Sequence, residues 1–251
     1  MRNLLFTLRF DGARYHGWQV QPNGVTVQAV FQRALESVLH ERPSLKGCSR
    51  TDAGVHANMF CVSLETGRDI PCARLVHAVN HFLPPDVAAL ACREVPAGFH
   101  ARYDCRGKEY VYQIWNAPVR DPFLHQRALH YWYPLDMGRL QAAAGQYVGR
   151  HDFTSFCTLD KREGRNFCRT VSHASVERAG SLVRFTVAAD GFLYNMVRIL
   201  TGTLLCVAQG KLQPEEIPSV FAARDRAAAG PTAPPQGLFL NRVFYDEGVL
   251  G

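Results

Sequence analysis

A strand-like apolar run followed by helical spacing of apolar positions is the first pattern along the chain. Residues 4–10 predict a strand, and residues 11–24, punctuated by glycine and proline, predict a loop rich in aromatic and amide side chains. From Thr26, a candidate N-cap, apolar side chains recur on one face of a predicted helix. That face comprises Val27, Val30, Phe31, Ala34, Leu35, Val38 and Leu39.

The middle of the chain continues this mixture of strand and helix signals. Residues 60–64 form an apolar run, a second helix is predicted to begin at Pro71, and residues 87–95 predict another strand. Residues 109–116 alternate most clearly, with Tyr110 on one face together with the residues two and four positions further on. This segment therefore predicts a strand with two different faces.

The second half predicts the same kinds of element in a similar order. Helices are predicted over residues 136–148 and 193–209, and strands over residues 170–177, 182–189 and 238–245. A short Ala-Gly-Ser link between two of these strands indicates a hairpin, and hence an antiparallel sheet. We predict an α+β fold of two related halves, residues 1–104 and 105–251, each an antiparallel sheet backed by helices.

Composition adds a preference for a polyanionic partner. The chain has 251 residues, is 47% hydrophobic and carries a net charge of +6, which indicates a folded protein with a basic surface. Of its 28 basic residues 4 are lysine, which leaves 24 arginines, and the guanidinium group suits bidentate contacts with phosphate. A coding sequence rich in G and C would also favour arginine, so composition alone leaves both explanations open.

Several classes of site are not indicated. The eight cysteines include no Cys-x-x-Cys pair, and with no secretory or membrane-spanning run in view we expect reduced thiols, a cytoplasmic protein and no membrane contact. His77 and His81 have metal-ligand spacing but no glutamate between them, so no metal site is expected. Neither of the glycine-rich nucleotide-binding motifs occurs, and no cofactor is expected.

Two loops carry candidate chemistry. Residues 50–56 read RTDAGVH and place Asp52 between an arginine and a glycine in a turn, where a carboxylate either faces a substrate or caps its own turn and pairs with Arg50. The second loop, residues 158–169, is either a solvated tip or an RNA contact. The candidate RNA contacts in this loop are Lys161, Arg162, Arg165 and Arg169. Arg14, near the N-terminus, is a further candidate.

Motifs in one order along nearly the whole chain resemble the A-type family of tRNA pseudouridine synthases. Residues 50–56, RTDAGVH, resemble the signature of that family. The other matching segments are FDG at 10–12, YHGWQ at 15–19, TVQ at 26–28, FHAR at 99–102, YVY at 110–112, HDF at 151–153, GFL at 191–193, MVR at 196–198, PTAP at 231–234 and GL at 237–238. So many matches in register make coincidence a negligible explanation.

The resemblance implies a role for each matching residue. Asp52 is the catalytic carboxylate, which either attacks the ribose C1′ or removes the C2′ proton, and Arg198 is its cationic partner. Tyr110 stacks on the target uracil, and Arg50 helps to extrude the nucleotide from the RNA. Leu238 forms an apolar wall of the base pocket. Judged from the residues alone, Tyr110 would be a core side chain and Arg198 a solvated arginine on a helix.

The resemblance also implies the reaction and its partners. The expected activity is that of an isomerase converting uridine to pseudouridine in the tRNA anticodon arm, at positions conventionally numbered 38, 39 and 40, without a cofactor. The expected assembly is a homodimer, with each catalytic cleft between the two halves. Alternatives from other classes are a non-catalytic RNA-binding protein and a glycosidase that uses Asp52 as nucleophile.

Two departures from the family pattern concern substrate choice. Cys48-Ser49 stands where Ala-Gly is commoner, and Tyr194-Asn195 stands where histidine often occurs. Both leave Asp52, Tyr110 and Arg198 in place. We therefore expect the choice of uridines, but not the reaction class, to depend on them. Cys48 is not expected to act as a nucleophile.

Overall fold

The computed structural model describes residues 1–159 and 166–250. Within them the strands are β1 Arg2–Phe10, β2 Lys46–Gly47, β3 His56–Thr66, β4 Val87–Val95, β5 Gly107–Trp115, β6 Leu129–His130, β7 Gly149–Asp152, β8 Cys168–Ala179, β9 Leu182–Ala189 and β10 Leu238–Phe244. The α-helices are α1 Val27–Leu39, α2 Cys72–Phe82, α3 Met137–Gly145, α4 Met196–Ala208 and α5 Ile217–Ala223. The mixture confirms the predicted α+β class.

The chain divides into two units. The first contains Met1–Arg106 together with Phe239–Gly251, and the second contains Gly107–Leu238. The boundary after Arg106 lies close to the division after residue 104 that the sequence predicts. Residues 239–251, however, which the prediction assigned to the C-terminal half, belong with the first unit. The physical reason is strand pairing, because β10 runs parallel to β3, with Phe239 opposite His56.

The first unit has a mixed sheet, antiparallel except for the parallel pair of β10 and β3, with two helices against it. Its strand order is β4-β1-β3-β10, and β2 also pairs with β3. Helix α1 packs on this sheet through Phe31, whose ring lies 5.4 Å edge-on from that of Phe6. Helix α2 is fixed to β4 by Asn80, whose side chain exchanges two hydrogen bonds with the backbone of Ala89.

The second unit repeats this plan with different elements. Its strand order is β5-β9-β8-β7, all antiparallel, and β6 runs parallel to β5. The predicted hairpin is present as β8 and β9. Its core is aromatic, with mutual ring contacts among Tyr147, Phe153, Phe156 and Phe221. Aromatic rings bury large areas in such edge-on pairs, which makes this cluster the main apolar anchor of the unit.

The sequence prediction differs from the structure where elements are short or interrupted. Helix α4 begins at Met196 rather than at residue 193, because Asn195 has a left-handed backbone with φ of 61°. Strands β2, β6 and β7 and helix α5 were not predicted, since two to seven residues are too few to display a period. No helix within the described residues is both long and apolar enough to cross a membrane.

Replacing Thr26 tests how α1 is capped. Its buried hydroxyl accepts a 3.3 Å hydrogen bond from the Ala29 N–H, so Thr26→Ala should lower the free energy of unfolding by about 1 kcal/mol. Ser37→Ala, an exposed substitution on the same helix, is the control and should change it by less than about 0.5 kcal/mol. Equal urea midpoints for Thr26→Ala and the unsubstituted protein would contradict the cap.

Candidate active site

The segment carrying Asp52 is a tight turn between β2 and β3. The Val55 N–H donates to the Asp52 carbonyl at 3.2 Å, and Gly54 has a positive φ of 78°. Thr51 and Val55 are buried, Asp52 is partly exposed and Ala53 is exposed. The turn thus holds its ends in the core and leaves Asp52 partly exposed.

The N-terminal loop, residues 11–24, holds this turn by backbone hydrogen bonds. The Trp18 N–H donates to the Thr51 carbonyl at 3.2 Å, and the Gly54 N–H donates to the Tyr15 carbonyl at 3.1 Å. The same loop is joined to the start of α1, because the Val27 N–H donates to the Gly17 carbonyl at 3.1 Å. The Asp52 turn is therefore fixed to a helix through bonds that no side-chain pattern reveals.

Two glycines allow the loop to approach the turn so closely. A Cβ at Gly12 would lie 1.9 Å from the Val55 carbonyl oxygen, and one at Gly17 would lie 2.3 Å from that of Thr51. Gly17 also has a φ of 79°, which residues with a side chain rarely adopt. These contacts explain physically why glycine follows Asp11 and His16 in the two N-terminal motifs.

His56 closes the base of the turn. Its buried ring stacks on Phe239 at 4.5 Å, and its Nδ1 lies 3.0 Å from the Gly12 nitrogen and 3.1 Å from Asp11 Oδ1. An Nδ1 without a proton accepts from the Gly12 N–H, whereas an Nδ1 that carries a proton, in the neutral Nδ1–H tautomer or in the cation, donates to Asp11. The sequence assigned His56 no role, although it ends the RTDAGVH run.

The cysteine beside the turn is a core side chain. Cys48 is fully buried, and its sulfur accepts from the Cys61 N–H at 3.3 Å. Burial raises the pKa of the Cys61 thiol to about 12. Arg50, two residues after Cys48, is exposed. Of the two residues that stand where Ala-Gly is commoner, the first, Cys48, is therefore a packed core thiol and not a surface group.

Arg198 is the third residue of α4, and its guanidinium group is held from two directions. Nε donates to the Ala233 carbonyl at 2.7 Å, and Nη1 donates to Asn195 Oδ1 at 2.8 Å. The Ala233 N–H in turn donates to the Arg198 carbonyl at 3.0 Å. Since Arg198 is half-buried and its guanidinium group donates through both Nε and Nη1, the structure does not support a freely solvated helix arginine.

Tyr110 and Tyr112 lie on the same face of β5 and have different surroundings. Tyr110 is buried, with its ring 4.9 Å edge-on from that of Phe192, just before α4. The Tyr112 hydroxyl donates to the Pro234 carbonyl at 2.7 Å, and burial raises its pKa. The sequence missed this structural role of Tyr112, which fixes the PTAP segment that also binds Arg198. Leu238, directly after that segment, is buried at the start of β10.

The candidate RNA contacts are distributed over both units. Arg14 forms an exposed ion pair with Asp86 at 2.7 Å, and the hydrogen bond between these groups raises the pKa of Arg14. Arg169 donates to the carbonyls of Asn166 and Cys168. Lys161, Arg162 and Arg165 lie outside the described residues. Among the residues that are described, no group of three His, Cys, Asp or Glu side chains could hold a metal ion.

The structure thus places Asp52, Arg50 and Arg14 in the first unit and Tyr110, Arg198, Leu238 and Arg169 in the second. Within the second unit it links Arg198 and the strand of Tyr110 through the PTAP segment, residues 231–234. Within the first unit, the structure brings the Asp52 turn together with the FDG and YHGWQ motifs. Motifs far apart in the sequence therefore meet within each unit.

Comparison with known proteins agrees with these shared motifs. A family model described as tRNA pseudouridine synthase matches residues 7–104 and 143–246. A tRNA pseudouridine synthase A from Acetivibrio thermocellus is 42% identical over 98% of this chain and all of its own length. One from Moorella thermoacetica is 46% identical over 96% of this chain and 99% of its own. The chain belongs to the tRNA pseudouridine synthase family.

Among solved structures, a Cbf5-Nop10-Gar1 complex aligns with 98% of this chain and 60% of the matched chain. The identity is 13% and the TM-score is 0.37.

Substitution of Gly17 tests the contact between the N-terminal loop and the turn. Gly17→Ala should lower the free energy of unfolding by about 1–3 kcal/mol and speed hydrogen exchange at the Trp18 and Gly54 amides, because the new methyl group displaces the Thr51 carbonyl. Gly67→Ala, where no atom lies within 4 Å of the added Cβ, is the control and should leave both measurements unchanged. Unchanged exchange in Gly17→Ala would show that the loop does not hold the turn.

Thiol labelling tests the assignment of Cys48 and Cys61 to the core. At pH 8 neither should react with iodoacetamide in the native protein, since both are buried and Cys61, with its raised pKa, would form thiolate only near pH 12. Mass spectrometry after unfolding in urea should show both alkylated. Rapid native labelling at Cys48 would mean that its thiol is accessible and would reopen the question of a reactive cysteine.

Proposed function

We propose that this protein converts uridine to pseudouridine in the anticodon arm of tRNA, at the positions conventionally numbered 38, 39 and 40. The observation that carries the proposal is the Asp52 turn, in which the RTDAGVH motif is fixed by backbone bonds to the YHGWQ motif and leaves Asp52 partly exposed. Membership of the tRNA pseudouridine synthase family supports the reaction class.

The reaction is an isomerisation, so its chemistry balances within one nucleotide. The bond between C1′ and N1 breaks, the uracil turns while it is held, and C5 bonds to C1′. The C5 proton is then lost and N1 gains a proton. We assign to Asp52 either attack on C1′ or removal of the C2′ proton. No electrons are transferred to another molecule, and we propose that no cofactor takes part.

The remaining site residues follow from the resemblance, and their surroundings suit these roles. Arg198, with its guanidinium group held by two bonds, supplies a positioned positive charge that keeps the catalytic carboxylate ionised. Tyr110 stacks on the uracil and assists removal of the C5 proton. Exposed Arg50 is free to enter the RNA as the nucleotide is extruded, and Leu238 bounds the base pocket.

The wider contacts belong to the same proposal. Modification of three adjacent positions requires recognition of backbone and shape more than of base edges. We assign these contacts to Arg14, Arg169 and the basic residues Lys161, Arg162 and Arg165. The active protein is proposed to be a cytoplasmic homodimer.

Replacement of Asp52 tests the catalytic assignment. Asp52→Asn should reduce tritium release from tRNA labelled at uridine C5 by on the order of 10³-fold or more, while tRNA affinity stays within a few-fold. The control is Asp69→Asn, an exposed carboxylate in the β3–α2 connection, which should retain full activity.

Three outcomes would contradict the proposal in different ways. Turnover by Asp52→Asn would remove Asp52 from the chemistry. Tight tRNA binding by the unsubstituted protein without tritium release would favour a non-catalytic RNA-binding protein. Free uracil in place of pseudouridine would favour a glycosidase.

A further inference from the structure

Two cysteines of the first unit lie on elements that pack against each other. Cys72 is the first residue of α2, and Cys92 lies in β4. Both are free thiols and both are partly exposed. Neither belongs to the motifs that carry the Asp52 turn, so the proposed reaction gives them no role.

Cys72 lies on the side of α2 that packs on the sheet. The buried residues Leu75 and Val79 follow it by three and seven positions, a spacing that places all three on one face of a helix. The Cys72 sulfur also accepts a hydrogen bond from Arg2 Nη2 at 3.6 Å, and Arg2 belongs to β1 of that sheet. The sulfur is therefore next to the sheet.

Cys92 points to the face of the sheet on which the helices pack. It is paired with Phe6 across β1 and β4, and side chains directly opposite each other lie on the same face. The contact of Phe6 with Phe31 identifies this face as the helical one. Glu94, two residues beyond Cys92 and on the same face, binds the Arg2 guanidinium group that also reaches Cys72.

The two cysteines also lie at similar positions along their elements. The bonds between Asn80 and Ala89 anchor α2 to β4, and the short connection of residues 83–86 reverses the chain between them. Cys72 lies eight residues before Asn80, about 12 Å along a helix, and Cys92 lies three residues after Ala89, about 10 Å along a strand. Both thiols therefore lie at nearly the same distance from the anchor, on facing surfaces.

The electrostatics of Cys92 agree with this placement. Burial, and after it the neighbouring Cys72 thiol, raise the pKa of Cys92. Because the thiolate is the form of cysteine that reacts with peroxides, Cys92 is the poorer of the two nucleophiles. Cys72, which faces a guanidinium group, is accordingly the thiol that reacts first.

We propose that Cys72 and Cys92 form a modification site, a dithiol that hydrogen peroxide converts to a reversible intramolecular disulfide. The Cys72 sulfur attacks one peroxide oxygen, the O–O bond breaks, and the thiol proton leaves with the other oxygen as water. The Cys92 sulfur then attacks the resulting sulfenic acid, and its proton leaves with the hydroxyl group as a second water. The two sulfurs lose two electrons, and the peroxide gains them.

The disulfide would fix the helix-strand pair that supports the N-terminal loop. The connection between α2 and β4 contains Asp86, whose carbonyl accepts from the Asp11 N–H at 2.9 Å and whose carboxylate accepts from the Tyr15 hydroxyl at 2.6 Å. A bond between Cys72 and Cys92 closes the loop of chain that contains Asp86. It therefore restricts the local openings in which α2 separates from β4.

Peptide mapping of the oxidised full chain tests the site. The reduced protein is treated with a small excess of hydrogen peroxide, its remaining thiols are blocked with N-ethylmaleimide, and it is digested with trypsin. Since the chain is cut after Arg68, Arg74 and Arg93, the disulfide should appear as peptide 69–74 joined to peptide 75–93, about 2 Da lighter than the two free peptides together. Dithiothreitol should separate them. Hydrogen exchange at the Leu75 and Val79 amides should slow at least about threefold on oxidation.

Three variants test the order of the two steps. Cys92→Ser should leave a sulfenic acid on Cys72 that dimedone traps. Cys72→Ser should give at least about tenfold less dimedone adduct at Cys92, since burial keeps that thiol protonated. Cys206→Ser, which removes another partly exposed cysteine, in the second unit, is the control and should still yield the joined peptides.

Contrary results overturn the proposal in recognisable ways. Sulfinic or sulfonic acid at Cys72 without joined peptides would show that the two thiols do not meet. Joined peptides that form only in urea, or only between two chains on a non-reducing gel, would exclude a disulfide of the native fold. The mapping uses no RNA, so its outcome is independent of the proposed tRNA modification.

Discussion

The backbone bonds between the N-terminal loop and the Asp52 turn are the constraint on which the rest of the first unit depends. Two irregular segments share hydrogen bonds as neighbouring strands would, which satisfies polar groups that would otherwise be costly to bury. The arrangement requires close backbone approach at Gly12 and Gly17. It also joins the turn to α1, so that the partly exposed Asp52 is positioned by a helix with a buried apolar face.

The second unit positions its functional side chains by a different method. Arg198 is held by a carbonyl of the PTAP segment and by Asn195, and Tyr112 binds a neighbouring carbonyl of the same segment. Here side chains from a helix and a strand bind the backbone of one irregular segment. Asn195 is the residue with a left-handed backbone just before α4. Its side chain also accepts a hydrogen bond from Arg198 and so helps to orient that arginine.

The sequence predicts the elements of this fold well where the period of apolar positions is long. Helix α1 and strand β9 lie where the spacing of Val27 to Leu39 and the alternation of residues 182–189 predict them. The return of β10 to β3 was not predictable in this way, since a strand's pattern indicates which face is buried and not which strand it joins. The candidate site residues were proposed from the resemblance. The groups that hold them were not predicted, because they are backbone atoms or side chains that look like core residues in the sequence. Examples are Tyr112, His56 and the carbonyls of residues 51 and 233.

The pairing of β10 with β3 gives the chain the topology of an insertion, with residues 107–238 lying between parts of the first unit. During synthesis β3 emerges long before β10, and about 180 residues separate the two strands. Strands β5, β9, β8 and β7 all precede β10 in the chain, so they can pair with one another before β10 is made. The nascent first unit meanwhile presents an unpaired edge of β3, the kind of edge that promotes aggregation, until the last segment of the chain arrives.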